Sequence, residues 1–340
     1  MIPKQFKHIV ISRTDAIGDV ILTLPMAKIL KGLYPNTHIS FIGKSYTIPV
    51  LNCCTFIDEV VLDTDFISGK WQPSLPPDAI IFVKPEKEIA KAAKVRGIKL
   101  RIGTSHRLFH LLYANKLLRF TRKRSDLHEM ELNLKLISPF TSQVLKKEAL
   151  INSYGLTPPP VSENVKGVLR KTENKTAIIL HPKSRGSARE WPLESYVELT
   201  KQFAITHPEV LFLITGTEAE GALIRSENRA LLFQPNTVDL TGQLSLNEFI
   251  SLIGAVDGLV ACSTGPLHIA SALGKNALGL YPPTKPMHPG RWAPVGPKAS
   301  FLVQNKPCEV NSKGKKDKGC SCLKGISVSE VESVLNTWLK

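Results

Sequence analysis

Two carboxylates and a set of basic loops carry most of the chemistry written in this chain. The stretch RTDAIGDVILTLP, residues 13–25, sets Asp15 and Asp19 around the single glycine Gly18, directly after a short apolar run. A positioned carboxylate can take the proton of a hydroxyl nucleophile, so either acid is a candidate general base. The bland alternative is an acid in the first turn of a helix, where the helix dipole favours the ionised form and weakens it as a base. Asp19 is read as the base. Asp15 is read as a loop or capping residue and the second choice, and Arg13 as a residue that orients either acid or meets an anionic acceptor.

Two further stretches suit an anion. HPKSRGSAREWP, residues 181–192, places Lys183, Arg185 and Arg189 with Ser184 and Ser187 just beyond a strand, where open α/β sheets bind their ligands. Three cations and two hydroxyls there fit a pyrophosphate, although a solvated basic loop has the same composition. ACSTGPLHIASALGK, residues 261–275, puts Ser263, Thr264 and Gly265 between a strand and a helix, with His268 in the first turn. Small residues let a ligand approach the backbone, and a helix start offers free amides and the positive end of a dipole. Serine or threonine followed by proline also begins many helices that bind nothing. If both stretches belong to one sheet, they form one phosphate-binding wall.

The elements that must position these loops alternate in type. Strands are predicted at residues 8–12, 38–42, 59–62 and 79–83, with helices over 19–33, 46–51 and 86–95. Pro25 inside the first helix predicts a kink or a very early turn. The prolines of LTPPPVSEN, residues 156–164, exclude regular structure and mark an interdomain linker. A second alternation follows, with strands at 176–181, 210–215, 258–262 and 277–281 and helices over 193–206, 218–232 and 266–273. Ser245 with Glu248, and Ser327 with Glu330, are capping boxes that open two more helices. This pattern predicts two parallel sheets covered by helices, in two domains with a cleft.

Composition narrows the partners. The chain has 340 residues, a net charge of +15, 43% hydrophobic and 21% charged residues, the profile of a folded domain pair with an anionic partner. No run approaches the ~20 apolar residues of a membrane span, and the N-terminal residues offer no secretory signal, which together predict a cytoplasmic protein. Cys53, Cys54 and Cys262 sit in apolar contexts and are read as buried thiols. Cys308, Cys320 and Cys322 form a looser group in a lysine-rich loop. Zinc normally takes four ligands from paired knuckles, so no metal is assigned to them.

The motifs R-x-D-A-I-G-D-V-x-L-T-L-P, H-P-x-x-x-x-x-x-R-E-W-P, S-T-G-P-L-H-I-A-x-A-L-G-K and P-P-T-x-P-x-x-P-x-R-W-x-P-x-G occur in that order across nearly the whole chain. Together they resemble glycosyltransferase family 9, the ADP-heptose:lipopolysaccharide heptosyltransferases and their relatives. The resemblance implies an α/β GT-B fold, two Rossmann-like domains facing each other across a cleft. Residues 1–160 would bind the acceptor and residues 161–325 the nucleotide sugar, with a C-terminal helix, 326–340, packing back on the first domain.

It implies an inverting, metal-independent transferase without a cofactor, moving heptose from ADP-heptose to the lipopolysaccharide inner core at the cytoplasmic face of the inner membrane. Asp19 matches the proposed base of the G-D-[VM] motif. Arg189 takes the place of a basic residue that contacts the donor phosphates, and Thr264, Gly265 and His268 match the T-G-x-x-H of the pyrophosphate site. Lys183, Ser184 and Ser263 complete the donor set. One departure stands out: relatives commonly carry an acid just before T-G, where this chain has Ser263, which lacks the carboxylate's charge. The donor is then either a heptose held otherwise or a different nucleotide sugar for another surface glycan.

Between Lys84 and Lys135 there are 14 Lys and Arg against 5 Asp and Glu. Acceptors of the family resemble phosphorylated lipid A bearing acidic Kdo sugars, so this patch is the expected contact with an anionic glycolipid and with the anionic membrane. Arg13, Asp15, Arg107, Arg122 and Arg124 are the acceptor candidates, with Arg101 and Arg119 behind them; for the five arginines between Arg101 and Arg124, a solvated surface residue is the plainer reading. A nucleic-acid-binding protein would also explain the charge, but no helix-turn-helix, zinc-finger or aromatic RNP signature is present. No G-x-G-x-x-G follows the first strand, which disfavours a dinucleotide-dependent oxidoreductase.

Overall fold

The structure, a computed structural model, describes residues 5–143, 146–285, 287–304 and 322–339. The chain divides into two compact units, Met1–Thr157 and Pro158–Lys340. Leu156 still bridges to Cys54 of the first unit, so the division falls within the proline run.

Apolar runs dictate the sheets. HIVIS, AIIF and VLFLI have every residue buried, the signature of parallel strands covered on both faces. In the first unit β1 (His8–Ser12), β2 (His38–Gly43), β3 (Glu59–Leu62), β4 (Ala79–Phe82), β5 (Leu100–Thr104) and β6 (Lys116–Leu118) form one sheet in the order β3-β2-β1-β4-β5-β6. Its neighbours are parallel, with Ile9 beside Ile39 on one side and Ala79 on the other. In the second unit β7 (Thr176–His181), β8 (Val210–Ile214), β9 (Thr237–Asp239), β10 (Gly258–Cys262), β11 (Asn276–Tyr281) and β12 (Ala299–Val303) form a second sheet, β12-β11-β10-β7-β8-β9. Both sheets have the same doubly wound order. Each therefore has a switch point, between β1 and β4 and between β7 and β10, where the chain winds away in opposite directions and leaves a crevice at the strands' carboxyl ends.

Several elements differ from expectation. Residues 19–33 are two helices, Ile17–Ile21 and Pro25–Leu33, because Pro25 has no amide to continue the first and serves instead in the opening turn of the second. The helix Glu218–Asn228 gives way to a 3-10 turn over Arg229–Phe233, which buries Leu231 and Leu232. Strands β5, β6, β9 and β12 carry no continuous apolar run. Three of them are edge strands, exposed along one side, so half-buried sequences such as KLL and TVD suffice.

The capping boxes at Ser245 and Ser327 are both formed. The second one opens the helix Val328–Asn336, which lies in the second unit. Val328, Val331 and Leu335 belong to the second unit's core with Trp191, Tyr196, Phe203 and Phe212, and Trp338 packs against it. Among the described residues no helix is long and apolar enough to cross a membrane.

Candidate functional site

At the first switch point the loop after β1 delivers a compact charge cluster. Arg13 is 3% exposed, and its guanidinium is divided among three carboxylates: Nε donates to Asp15 at 2.6 Å, Nη1 to Glu129 at 3.0 Å, and Nη2 to Asp19. Nη1 also reaches the Asn133 side-chain oxygen at 3.2 Å. The same two residues hold Arg122, which donates to Glu129 at 2.8 Å and to Asn133 at 2.7 Å. Asn133 in turn donates to the Leu22 carbonyl and the Thr23 hydroxyl at 3.1 Å, and that hydroxyl donates to the Asp19 carbonyl at 2.8 Å. The helix Ile17–Ile21 is thereby fixed from its far side.

One cation shared by three anions has unequal consequences. Arg13 gains from every carboxylate, so its pKa rises despite complete burial. Asp19 meets burial first, which the guanidinium only partly offsets, and then repulsion from Asp15 and Glu129; its pKa is pushed up to about 6. A carboxylate that still ionises near neutrality and holds its proton more firmly than usual is suited to general-base work. Asp19 also stands in the first turn of its helix, where the dipole favours the ionised form, and burial is the largest influence acting against that form.

The loop after β4 closes the same crevice. Glu86 pairs with Lys84 at 2.8 Å and accepts from the Thr14 hydroxyl at 3.1 Å, while the Tyr46 hydroxyl donates to the Asp15 carbonyl at 2.7 Å. Arg13 and Arg122 are thus engaged with the acid cluster. Arg107 and Arg119 are exposed, and Arg101 is tied to the Tyr113 and Ile98 carbonyls at 2.6 and 2.5 Å. Arg124 lies in the 3-10 turn Arg122–Arg124, its side chain outside the description.

The second switch point brings the loops after β7 and β10 to one edge, since β7 and β10 are hydrogen-bonded neighbours with Ala261 beside His181. Lys183 is buried and paired with Glu190 at 3.2 Å and with Glu227, both of which hold it charged. The Ser184 amide and hydroxyl both donate to Glu190 at 2.8 Å. The turn between them and Arg189 passes through positive φ at Arg185 and Gly186, and Arg189 is half-buried. Lys183, Glu190, Trp191 and Glu227 line a cavity of about 250 Å³.

In the loop after β10, Thr264 precedes the helix Gly265–Ala272 and does not cap it through its side chain. Its buried hydroxyl has no hydrogen-bond partner among the described residues. His268 is buried in that helix's first turn, and Ser263 is half-buried. His181, at the end of β7, is fully buried between Thr215, 3.0 Å away, and the Phe249 ring, and burial lowers its pKa.

Glu129, Asn133, Glu86, Glu190 and Glu227 were not singled out in the sequence. Glu129 sits inside a stretch that reads as a basic patch, and the helix it opens is capped by His128 with Glu131, a box without serine or threonine. As for metals, His8, His38 and Glu59 bring ligand atoms within 4.8 Å of one another. They lie at the amino ends of β1, β2 and β3, away from the switch point of their own unit, and Ser40 and Trp71 already bond Glu59 there at 2.7 and 2.9 Å. Cys53, Cys54 and Cys262 are buried free thiols whose burial raises their pKa, to about 11 for Cys54 and about 12 for Cys262. Cys308, Cys320 and the Cys322 side chain lie outside the described residues.

Residues 90–321 match the family model for glycosyltransferase family 9 (heptosyltransferase). A glycosyltransferase-named protein of Haemophilus influenzae is 27% identical over 85% of this chain and 86% of its own. The lipooligosaccharide heptosyltransferase 2 of the same organism is 25% identical over 92% and 93%. Among solved structures, a family 9 glycosyl transferase of Veillonella parvula superposes with a TM-score of 0.74 at 19% identity, covering 99% of this chain and 98% of that one. The Escherichia coli ADP-heptose lipopolysaccharide heptosyltransferase II does so at 0.69 and 18%, covering 98% of each. At these identities the structural likeness is one of fold, the GT-B class.

Proposed function

Because this chain belongs to glycosyltransferase family 9, we propose that it moves a heptose from ADP-heptose to the inner core of lipopolysaccharide, with inversion and without a divalent cation. The observation that carries this reading is Asp19, a carboxylate at the first switch point whose pKa lies near 6. The acceptor hydroxyl gives its proton to the Asp19 carboxylate as its oxygen attacks the anomeric carbon. The bond from that carbon to the diphosphate breaks with its electrons, and the departing nucleoside diphosphate carries the charge away.

That charge needs donors at the second switch point. Lys183, Ser184 and Arg189 after β7, with Thr264, Gly265 and His268 after β10, would supply them; the unpartnered Thr264 hydroxyl and the uncapped helix start favour an anion there. ADP is the nucleotide held in one similar structure, the Escherichia coli heptosyltransferase WaaC. Arg13 and Asp15 act in this scheme by orienting the base. Arg107, exposed at the surface, would meet the phosphates and acidic sugars of a lipid A–Kdo acceptor at the inner face of the inner membrane, while Arg122 is held by Glu129 and Asn133.

A second reading rests on Ser263. This half-buried hydroxyl cannot offer a sugar the two acceptor oxygens of a carboxylate. The same fold and base would then serve a different nucleotide sugar and another surface glycan.

A thermal-shift panel of nucleoside diphosphates and nucleotide sugars, run in EDTA on wild type and Arg189→Ala, separates the two. Stabilisation by ADP or ADP-heptose that weakens in the variant supports the heptosyl donor. A response to UDP, GDP or CDP compounds keeps the mechanism and replaces the sugar, and stabilisation only when magnesium is restored overturns the metal-independent reading.

A further inference from the structure

The helix Leu108–Tyr113 presents its apolar face outward. Its inward residue is His110, fully buried, whose Nδ1 lies 2.9 Å from the Thr104 carbonyl and whose ring stacks on Phe82 with centroids 5.5 Å apart. Gly103 makes room for it, since a Cβ there would fall 2.7 Å from the imidazole. On the other face Leu108, Leu111 and Leu112, spaced as neighbours on one side of a helix, are 83%, 58% and 64% exposed. Val95, at the end of the adjoining helix Lys87–Val95, is 81% exposed.

The charge around this face has one sign. From Ile89 to Ser125 the chain carries eleven Lys and Arg and no Asp or Glu. Lys91, Lys94, Lys99, Arg107, Lys116 and Arg119 are exposed. Lys94 sits directly beside the leucines, donating to the Leu112 carbonyl at 2.9 Å. The patch is also tied to the acid cluster of its own unit: His106 bonds the Phe120 carbonyl at 3.0 Å, Arg122 lies over the Phe120 ring, and Arg122 shares Glu129 with Arg13.

We propose that this face docks on an anionic phospholipid bilayer, the leucines entering the boundary between headgroups and acyl chains and the surrounding cations meeting lipid phosphates. Adjacent exposed leucines ringed by cations are the composition of an interfacial anchor. A bilayer suits them better than a second copy of this chain, whose matching patch would bring like charges together. The proposal rests on the reading of the acceptor as a membrane-held glycolipid. It deepens that reading by naming the surface that brings such an acceptor to the loops after β1 and β5.

The test is co-sedimentation of the full chain with vesicles of phosphatidylcholine alone and of phosphatidylcholine mixed with phosphatidylglycerol. Wild type should pellet with the mixed vesicles and be released by salt. Leu111→Ser/Leu112→Ser, substitutions of exposed side chains, should lower its partition coefficient at least about tenfold, and Lys91→Glu/Lys116→Glu should remove the preference for anionic lipid. Leu112→Trp should shift its emission to the blue on binding.

Equal binding by the leucine variant, or no vesicle binding by wild type, would overturn the proposal. So would a concentration-dependent dimer that the leucine variant abolishes, because it would give the patch to a second copy. No nucleotide or acceptor sugar is present in this assay, so vesicle binding by a chain that responds to no nucleotide keeps the anchor and defeats the donor reading; the converse result does the opposite.

Discussion

Arg13 and Asp19 form an ion pair in which the arginine is fully committed and the aspartate is not. The guanidinium answers to Asp15 and Glu129 as well, so Asp19 receives a fraction of one positive charge while bearing burial and two negative neighbours. Its ionised form is therefore less favoured than that of an ordinary aspartate. That imbalance is the basis of the first two predictions.

Asp19→Asn should leave nucleotide-induced thermal stabilisation intact and lower kcat by about 10²–10⁴. Retained transfer in the variant would remove Asp19 from the chemistry.

The pH profile should carry the same signature. Transfer needs the ionised carboxylate, so kcat/KM should climb as pH rises through about 6 and level off above it. Stability runs the other way. A folded-state pKa above the ordinary 3.8 means that the folded chain binds the proton more tightly than the unfolded one, so this group makes the fold less stable as pH rises from about 4 to about 6. Asp19→Asn should therefore melt higher than wild type at pH 8 and lose that advantage at pH 4, as calorimetry at the two pH values would read. An acid limb centred near the usual carboxylate range would contradict the raised pKa.

Glu129 is buried against two arginines, and its loss should be felt in the fold before it is felt in the chemistry. Glu129→Ala leaves Arg13 and Arg122 short of a counter-charge and should cost about 3–5 kcal/mol in urea unfolding, with Glu129→Gln losing less. A neutral result would make the cluster solvent-compensated.

Thr264 makes the opposite prediction. Its hydroxyl is buried without a partner among the described residues, so Thr264→Val should leave stability unchanged or slightly raised while weakening nucleoside diphosphate binding by roughly 3–10-fold. Titration of the two proteins with ADP and with the other diphosphates measures it. Unchanged affinity for all of them would exclude the hydroxyl from the donor site.

Legibility followed burial. HIVIS, VLFLI and GLVAC declare themselves because both faces are covered and the run is apolar throughout. The edge strands KLL and TVD do not, because the register with β5 and β8, which only the folded sheet supplies, makes them strands. Residues 13–19, 181–192 and 263–268 could be placed just beyond strand ends because each follows an apolar run. Glu129 and Asn133 could not, since they reach Arg13 from more than a hundred positions away and their own stretch looks like basic surface. The terminal helix shows a similar limit: Val328, Val331 and Leu335 mark it as amphipathic in the sequence, but only the fold shows the core of the second unit that they enter.

Both halves of this chain follow one winding, with the working loops springing from the first and fourth strands of each. Such a duplicated plan separates the history of the two substrates. On the proposed assignment, drift in the loops after β1, β4 and β5 would retune which sugar is extended while the loops after β7 and β10 kept the nucleotide, and a change such as Ser263 would alter the incoming sugar without disturbing Asp19. A lineage built this way can diversify its outer coat by editing one half at a time.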